Sequence, residues 1–187
     1  MRSDVALRQL DPDLLDALLD TAVADADPLE VMPAVPGSTG WTAEARAAFL
    51  RFHRTRSLSA EPVEATFAIL VGTDVVGAAR LCPVVPAPAP AVAGSTETAG
   101  PSGTADPAEA VEAGVWIGRR HRSAGVGGAV LRHLLDRARA DGFRTLLIST
   151  SRDNTRVHRM IAGLGADLVH GPDGVSARVD LTPGRAA

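Results

Sequence analysis

The residues with the clearest capacity for chemistry form a glycine-rich segment in front of an amphipathic stretch. Gly125, Gly127 and Gly128 fall within four consecutive positions. Glycine lets backbone N–H groups approach a ligand closely, and a helix that begins there adds the positive end of its dipole. The segment therefore predicts a binding site for a diphosphate or a similar anion at the start of a helix.

Three arginines precede these glycines. Arg119, Arg120 and Arg122 stand directly upstream of the segment. Guanidinium groups form paired hydrogen bonds with phosphate oxygens, so these side chains could bind a diphosphate or the 3′-phosphate of a ribose. The alternative for each of them is a solvated turn without a ligand, and the sequence leaves both open.

Two other phosphate-binding patterns also contain glycine, and the surrounding residues disfavour both. The dinucleotide fingerprint would need its third glycine at Val130, and would end the next strand on an acidic residue rather than on Ser149-Thr150. A P-loop requires a lysine, and the chain contains none. The ligand must therefore be inferred from the neighbouring elements.

The stretches around the glycines predict a strand, a crossover helix and a parallel strand. Residues 111–117 have the composition of a strand that ends at Gly118. The helix after the glycines has one apolar and one charged face and ends at Gly142. Residues 145–149 form an uninterrupted run typical of a parallel strand that is covered on both faces. A unit of this kind is right-handed.

The rest of the chain predicts two helices and a hairpin before this unit, and a helix and a hairpin after it. Before the unit, the segments are a strand over 5–10, a helix after Asp11 and Pro12, a helix that Thr42 opens and that continues through Phe52, and a hairpin of 66–71 with 75–81. After the unit, they are a helix from Asp153 or Asn154 to Leu164 and a hairpin of 168–170 with 175–181. Residues 28–41 are rich in proline and glycine and predict irregular structure.

Length and composition suit a single α/β domain. The chain has 187 residues, of which 45% are apolar, enough for a core of its own. Residues 83–110 differ from the rest, because they hold six of the thirteen prolines and no basic or aromatic side chain. Such a composition buries too little apolar surface to offset the entropy of ordering, so we predict a flexible loop insertion over 83–110.

Charge and composition also exclude several classes of function. The net charge is −3, whereas a nucleic-acid-binding domain would be basic. The sequence has no secretion signal and no apolar run long enough to span a membrane, which predicts a cytoplasmic protein without membrane contact. The single cysteine, Cys82, excludes an intramolecular disulfide and a cysteine-rich zinc site, and we predict no metal.

With these elements in this order, residues 111–166 resemble the GCN5-related N-acetyltransferase (GNAT) family. The acyl-CoA loop of that family reads Gln/Arg-x-x-Gly-x-Gly/Ala, and Arg122-Ser123-Ala124-Gly125-Val126-Gly127 matches it. A later helix of the family often shows Asn-x-x-Ala/Val and then Gly, and Asn154, Val157 and Gly165 fall in register. The N-terminal half agrees with the family through the order of its elements.

Two positions depart from the family pattern. Ile161 stands where the family usually keeps a tyrosine as general acid, and Ala166 stands where it usually keeps a phenylalanine. The chain contains no tyrosine at all. The identity of the general acid is therefore open.

The resemblance implies a GNAT fold of the α+β type, with a mixed central sheet, splayed parallel strands and flanking helices. Acetyl-CoA, the acyl-CoA cosubstrate, would enter a V-shaped opening between the two parallel strands. The amides near Val115 and Ile117 would then face its thioester carbonyl. The residues assigned to cofactor binding on this basis are Val115, Trp116, Ile117, Arg122, Ser123, Ala124, Gly125, Val126, Gly127, Gly128 and Asn154. Trp116 could equally be a packing residue, and Asn154 only a helix cap.

The resemblance further implies direct transfer to an amine, for which we predict Glu112 as general base and His158 as a replacement acid. An alkyl-ammonium group has a pKa of about 10.4, so presenting the free amine at neutral pH costs roughly 4.6 kcal/mol. Glu112 lies on the cofactor strand, and His158 lies about one helical turn before Ile161. Either side chain could instead be exposed and without a role.

The predicted function is acyl-CoA-dependent N-acyltransfer, with acetyl passing from acetyl-CoA to a primary amine of a small molecule. The alternatives are a peptide or protein acceptor, a longer acyl group, and a catalytically weak module that binds acyl-CoA and regulates a partner. The acceptor pocket is expected from residues 28–56 and 170–176, with Trp41, Glu44 and His53 as candidates. The sequence does not define the oligomeric state and is compatible with a homodimer.

Overall fold

The computed structural model describes residues 4–84, 109–122, 124–164, 166–171 and 174–182. These residues form a seven-stranded sheet and five α-helices. The strands are β1 Val5–Gln9, β2 Ala65–Val71, β3 Asp74–Pro83, β4 Ala110–Ile117, β5 Thr145–Thr150, β6 Asp167–Gly171 and β7 Gly174–Asp180. The helices are α1 Pro12–Asp25, α2 Pro28–Val31, α3 Ala43–Ser57, α4 Val126–Ala140 and α5 Thr155–Ala162.

The strand order is β1-β2-β3-β4-β5-β7-β6. Strands β4 and β5 run parallel, and every other neighbouring pair in this order runs antiparallel. The predicted strand, crossover helix and parallel strand are therefore confirmed as β4, α4 and β5. The sheet is mixed, as expected.

The two parallel strands separate part of the way along their length. Their pairing runs from Ala110 with Thr145 to Ala113 with Ile148 and stops there. Strand β4 nevertheless stays paired with β3 as far as Ile117, and β5 stays paired with β7 to its end. The sheet therefore opens into a V beyond Ala113, with β4 as one wall and β5 as the other.

Helices cover both faces of the sheet. On one face Val111 of β4 packs in a buried cluster with Leu134 of α4. On the opposite face Ala78 of β3 packs in a second cluster with Leu18 of α1 and Phe49 of α3. The opening in the sheet therefore lies between two helical layers. Among the described helices, none combines the length and apolar character that a membrane crossing would need.

Local capping explains where the longer helices begin and end. Asp11 Oδ1 accepts a hydrogen bond from Leu14 N–H at 2.8 Å, and Thr42 Oγ1 accepts one from Ala45 N–H at 3.2 Å. Gly142 has a φ of 86° just after α4, a conformation that favours glycine and stops the helix. The predicted helix starts at Asp11 and Thr42 and the end at Gly142 are confirmed.

Regular structure extends into both stretches that were predicted to lack it. The stretch 28–41 contains the short helix α2, because Asp27 and Glu30 form a reciprocal capping box and Pro28 occupies the first turn. The two end residues of the predicted loop 83–110 belong to strands, Pro83 to β3 and Ala110 to β4. Residues 85–108, on which the rest of that prediction falls, lie outside the described residues.

Candidate active site

The start of α4 is shaped to admit a ligand. Gly125 caps the helix with a φ of 79°, and in the described structure no side chain donates or accepts a capping bond there. A Cβ at Gly127 would meet only Ile117 Cδ1, at 3.7 Å, and a Cβ at Gly125 would meet nothing within 4 Å. Packing within the protein therefore does not require glycine at position 127. The open space lies beside first-turn amides, which have no partner within the helix, and this arrangement fits a diphosphate.

On the wall of the opening that β4 forms, the main-chain groups of the odd-numbered residues face the opening. Ala110 O accepts a hydrogen bond from Val84 N–H at 3.0 Å, and Gly118 N–H donates to a β3 carbonyl at 2.9 Å. Both even-numbered residues thus face β3, and the residues of an antiparallel ladder alternate between facing the partner and facing away. The main-chain groups of Val115 and Ile117 therefore face the β5 side, beyond the last residue that pairs with β5.

Arg122 ties the phosphate loop to both β4 and α2. Its Nε donates to Ile117 O at 2.8 Å, and its Nη2 lies 2.9 Å from Glu30 Oε2. Arg119 adds a longer ion pair to the same carboxylate, at 3.7 Å. The hydrogen bond from Arg122 holds the pKa of Glu30 below its usual range despite partial burial. Arg122 thus positions the turn, and its guanidinium is already shared between two protein acceptors.

Asp25 fixes the other side of this turn. It accepts a hydrogen bond from Arg120 N–H at 3.0 Å, and its carboxylate lies 3.3 Å from the Arg120 side chain. A Cβ at Gly118 would lie 2.5 Å from Asp25 Oδ2, so the carboxylate packs directly against the end of β4. The sequence prediction missed Asp25 and Glu30, because acidic residues more than 90 positions away give no local signal of this contact.

Other predicted cofactor residues are placed differently. Trp116 faces β3 with its main chain, and its ring packs in the cluster of α1 and α3, which supports the packing alternative. Asn154 Oδ1 accepts from Val157 N–H at 3.2 Å and caps α5. The side chain of Val126 is buried in the core, so only its main chain can reach a ligand. Ala124 and Gly128 flank the open space in sequence, and Ser123 lies outside the described residues.

The predicted catalytic residues do not meet. Glu112 is half-buried on β4, opposite Cys82 and on the sheet face of α1 and α3. His158 lies on α5, and its Nε2 is 3.1 Å from Ser151 O, so this nitrogen donates to the main chain. Ile161 is fully buried in the cluster of α4. The hydrocarbon at the usual tyrosine position therefore serves packing.

A buried ionic cluster lies on the same sheet face as Glu112. The carboxylate of Glu64 has no exposed surface and accepts bonds from Arg56 Nη2 at 2.8 Å and Arg80 Nη1 at 3.0 Å. Burial alone would raise the pKa of Glu64, but the two arginines outweigh it and hold that pKa low. Sequence reasoning did not single out this cluster, because its members come from α3, from the residue before β2 and from β3, and only the fold brings them together.

His53 is buried next to this cluster. Burial, assisted by the charges of Arg56 and Arg80, lowers the pKa of His53 to about 4, although Glu64 opposes the shift. Neither ring nitrogen has a hydrogen-bond partner among the described residues. The Phe49 ring packs edge-on against it at 4.6 Å. His53 is therefore a neutral, desolvated imidazole at neutral pH.

The other predicted acceptor residues have structural or exposed positions. Trp41 Nε1 donates to Ala26 O at 2.9 Å, and the Trp41 ring packs edge-on against Phe49 with 5.7 Å between the ring centroids. Trp41 thereby connects α3 to the end of α1. Glu44 is exposed in the first turn of α3. A cavity of about 260 Å³ lies in the same region. It is lined by residues between Asp27 and Ala45, the part of the chain expected to shape the acceptor pocket.

Comparison with known proteins agrees with this geometry. Residues 32–166 match the model of the acetyltransferase (GNAT) family. The fold is similar to an N-acetyltransferase from Staphylococcus aureus Mu50, with a TM-score of 0.61 and 17% identity over 96% of this chain and 100% of that one. It is also similar to the GNAT domain of S. lividans PAT, with a TM-score of 0.62 and 17% identity over 94% and 90% of the two chains.

A third similar structure carries the cosubstrate. The protein yncA from Salmonella typhimurium, solved with its cofactor acetyl-CoA, has a TM-score of 0.59 and 16% identity, with 98% of both chains covered. No curated protein matches the sequence at a significant level. The family match covers most of the chain and coincides with the opening in the sheet and the glycine loop. The chain belongs to the GNAT family and is an acetyl-CoA-dependent N-acetyltransferase.

Proposed function

We propose that this acetyltransferase acts on a primary amine of a small molecule. The observation that carries the proposal is the V-shaped opening beyond Ala113, which ends at a helix start without a side-chain cap in the described structure. The opening joins a site for an anionic diphosphate to a strand edge that can pair with an extended chain. Acetyl-CoA has these two parts in this order, and when bound it supplies an activated acetyl group.

Main-chain groups would hold the cosubstrate. The first-turn amides of α4, around Gly127, would bind the diphosphate, assisted by the helix dipole. The N–H of Val115 faces the opening and would donate to the thioester carbonyl, where negative charge develops during transfer. Arg122 would act by positioning Ile117 and the loop, because its own donors already bind Ile117 O and Glu30.

Glu112 is the group best placed to accept the proton of the amine. It lies on β4 at the last residue but one that pairs with β5, two positions before Gly114, the first residue of β4 beyond that pairing. Among the described residues it makes no ion pair, so its carboxylate is not committed elsewhere. A base is required because an amine with a pKa of about 10.4 is protonated at neutral pH. We infer that Glu112 acts directly or through one water molecule.

A general acid is less necessary. The leaving thiol has a pKa of about 8.5, so it can depart as a thiolate at little cost. Ile161 therefore does not preclude turnover. It does favour one alternative, a protein that binds acetyl-CoA and regulates a partner without catalysis, since a buried hydrocarbon occupies the usual acid position.

The test is the release of free CoA thiol from acetyl-CoA across a panel of small amines, peptides and proteins. We expect thiol release with at least one small amine, together with the mass of the acetylated product. Tight binding of acetyl-CoA with no thiol release from any acceptor would favour the regulatory alternative. Release with peptides or proteins alone would exclude a small-molecule acceptor.

A further inference from the structure

The ionic cluster on the face of α1 and α3 carries an excess of positive charge. Two guanidinium groups, from Arg56 and Arg80, bind the single carboxylate of Glu64. Glu64 has no exposed surface, whereas the side chains of Arg56 and Arg80 are 32% and 36% exposed. The three side chains of this cluster therefore sum to one positive charge, and both arginines are partly accessible from outside.

This charge lies where the sheet begins to open. Arg80 on β3 is the register partner of Gly114, the first residue of β4 beyond the last pair with β5. A Cβ at Gly114 would lie 2.5 Å from Arg80 Nε and 2.9 Å from Arg80 Cγ. The Arg80 side chain thus crosses directly over Gly114, and glycine at this position permits that close approach.

Two further polar groups share the site. Glu112 precedes Gly114 by two residues, so their positions are about 6.6 Å apart on one face of the strand. His53, which is only 4% exposed, interacts electrostatically with Glu64 and Arg80 and has no hydrogen-bond partner for either ring nitrogen within the described part of the chain. A buried imidazole left in this state is costly unless a ligand or water completes its bonding.

We propose that this cluster is the acceptor subsite for the carboxylate of an amino acid, with Arg80 as the main recognition residue. The inference rests on the proposed transfer to a small amine. Arginine is the side chain best suited to a carboxylate, because it can donate two parallel hydrogen bonds. Glu64 holds the Arg80 guanidinium in place, and a free amino acid is short enough to direct its amine toward Glu112 while its carboxylate meets Arg80.

The chemistry of the site also selects against other amines. A polyamine without an acidic group would place a second positive charge against Arg56 and Arg80. An amino acid amide would keep the reacting amine and lose the charged partner of Arg80. The change in the acid-over-amide preference between the wild type and an Arg80 variant therefore isolates the proposed contact from the rest of the acceptor pocket.

The experiment measures thiol release with the L-amino acids and their matched amides, using the full chain. For the best acceptor we expect a kcat/KM at least about 10-fold higher for the acid than for the amide. Arg80→Gln should remove this preference by raising KM for the acid about 10- to 100-fold, while KM for the amide changes little. Arg80→Lys should lose less of the preference for the acid than Arg80→Gln does, because lysine keeps the positive charge.

Matched variants separate recognition from folding. Arg139→Gln removes an exposed arginine of α4 that pairs with Asp136, and it should leave the preference for the acid unchanged. If Arg80→Gln does not fold, Arg80→Lys carries the test, with thermal unfolding and acetyl-CoA binding as controls of integrity.

Failure of the proposed subsite and failure of the proposed function give different results. Equal kcat/KM for acid and amide in the wild type would overturn the subsite. So would a loss of kcat/KM in Arg80→Gln and Arg80→Lys that is equally large for the acid and for the amide. Turnover of amines that have no carboxylate, with none of amino acids, would do the same while leaving the acetyltransferase intact. If no amine of any kind releases thiol, the proposed function itself fails, and the subsite falls with it.

Discussion

Arg122 Nη2 and Glu30 Oε2 lie 2.9 Å apart, and this ion pair connects the phosphate loop to the short helix α2. The two residues are 92 positions apart in sequence. Because α2 also lines the cavity beside α3, the pair links the two regions expected to bind the cosubstrate and the acceptor. The negative charge of Glu30 therefore lies close to the predicted diphosphate site.

Glu30→Gln should tighten CoA binding. The substitution removes a negative charge near the phosphates, while the amide oxygen can still accept from Arg122. An interaction of about 1 kcal/mol between charges in a solvated site corresponds to roughly a 5-fold lower Kd by calorimetry at low salt. The gain should shrink at high salt. Glu61→Gln, at an exposed position, is the control, and an unchanged or higher Kd for Glu30→Gln would contradict the prediction.

Glu112→Gln should lower activity in a pH-dependent way. General base catalysis typically contributes about 100-fold or more, so kcat/KM at neutral pH should fall by roughly that factor. Above the pKa of the acceptor amine, which is about 10.4 for an alkyl-ammonium group, the substrate is already deprotonated, and the difference from wild type should narrow. The measurement is a pH profile of thiol release, with CoA affinity as the control. A constant ratio between variant and wild type across the pH range would rule out the base role.

His53 should make stability fall in mild acid. Its folded pKa of about 4 lies below the ordinary value of 6.5, chiefly because the ring is buried. The unfolded chain therefore binds more protons between these values, so this stability is fully present above pH 6.5 and is lost as pH falls towards 4. The lowered pKa of Glu64 acts in the same direction, but only below its ordinary value of 4.5.

The corresponding variant is His53→Leu. Between pH 7 and pH 5 the wild type should lose roughly 1–2 kcal/mol more stability than His53→Leu, as measured by denaturant unfolding. His121→Gln, a histidine in the turn after β4, is the control and should follow the wild type. If the stability of the wild type and of His53→Leu depended on pH in the same way, the buried imidazole would not be the cause of the loss of stability in mild acid.

Local signals predicted the starts of α1 and α3 and the elements that carry the cosubstrate site. Asp11 and Thr42 each cap the helix that follows them, because a side-chain oxygen satisfies an amide only a few residues away. The glycine loop and the apolar run 145–149 identified the strand, helix and parallel strand, because each of these patterns also lies within a short piece of chain. Such interactions act within one or two turns of chain, so they can be recognised without knowing the fold.

Contacts that depend on strand register were not predictable in this way. Arg80, Glu64 and Arg56 meet because β2, β3 and α3 bring them to one face, and no local pattern marks them as partners. The composition of residues 111–117 predicted a strand but did not reveal that Trp116 turns toward α1 and α3. Helix α2 was missed because its proline and glycine neighbours outweighed the capping pair of Asp27 and Glu30.

The central claim is that main-chain amides at the start of α4 bind the diphosphate of the cosubstrate. The most direct test is calorimetric titration of CoA into the wild type, Gly127→Glu and Ala140→Glu, the last adding the same charge at the exposed far end of α4. We predict saturable heat below millimolar CoA for the wild type and Ala140→Glu, and binding at least about 10-fold weaker for Gly127→Glu at unchanged thermal stability. No heat with the wild type at millimolar CoA, or equal affinity in Gly127→Glu, would contradict the account.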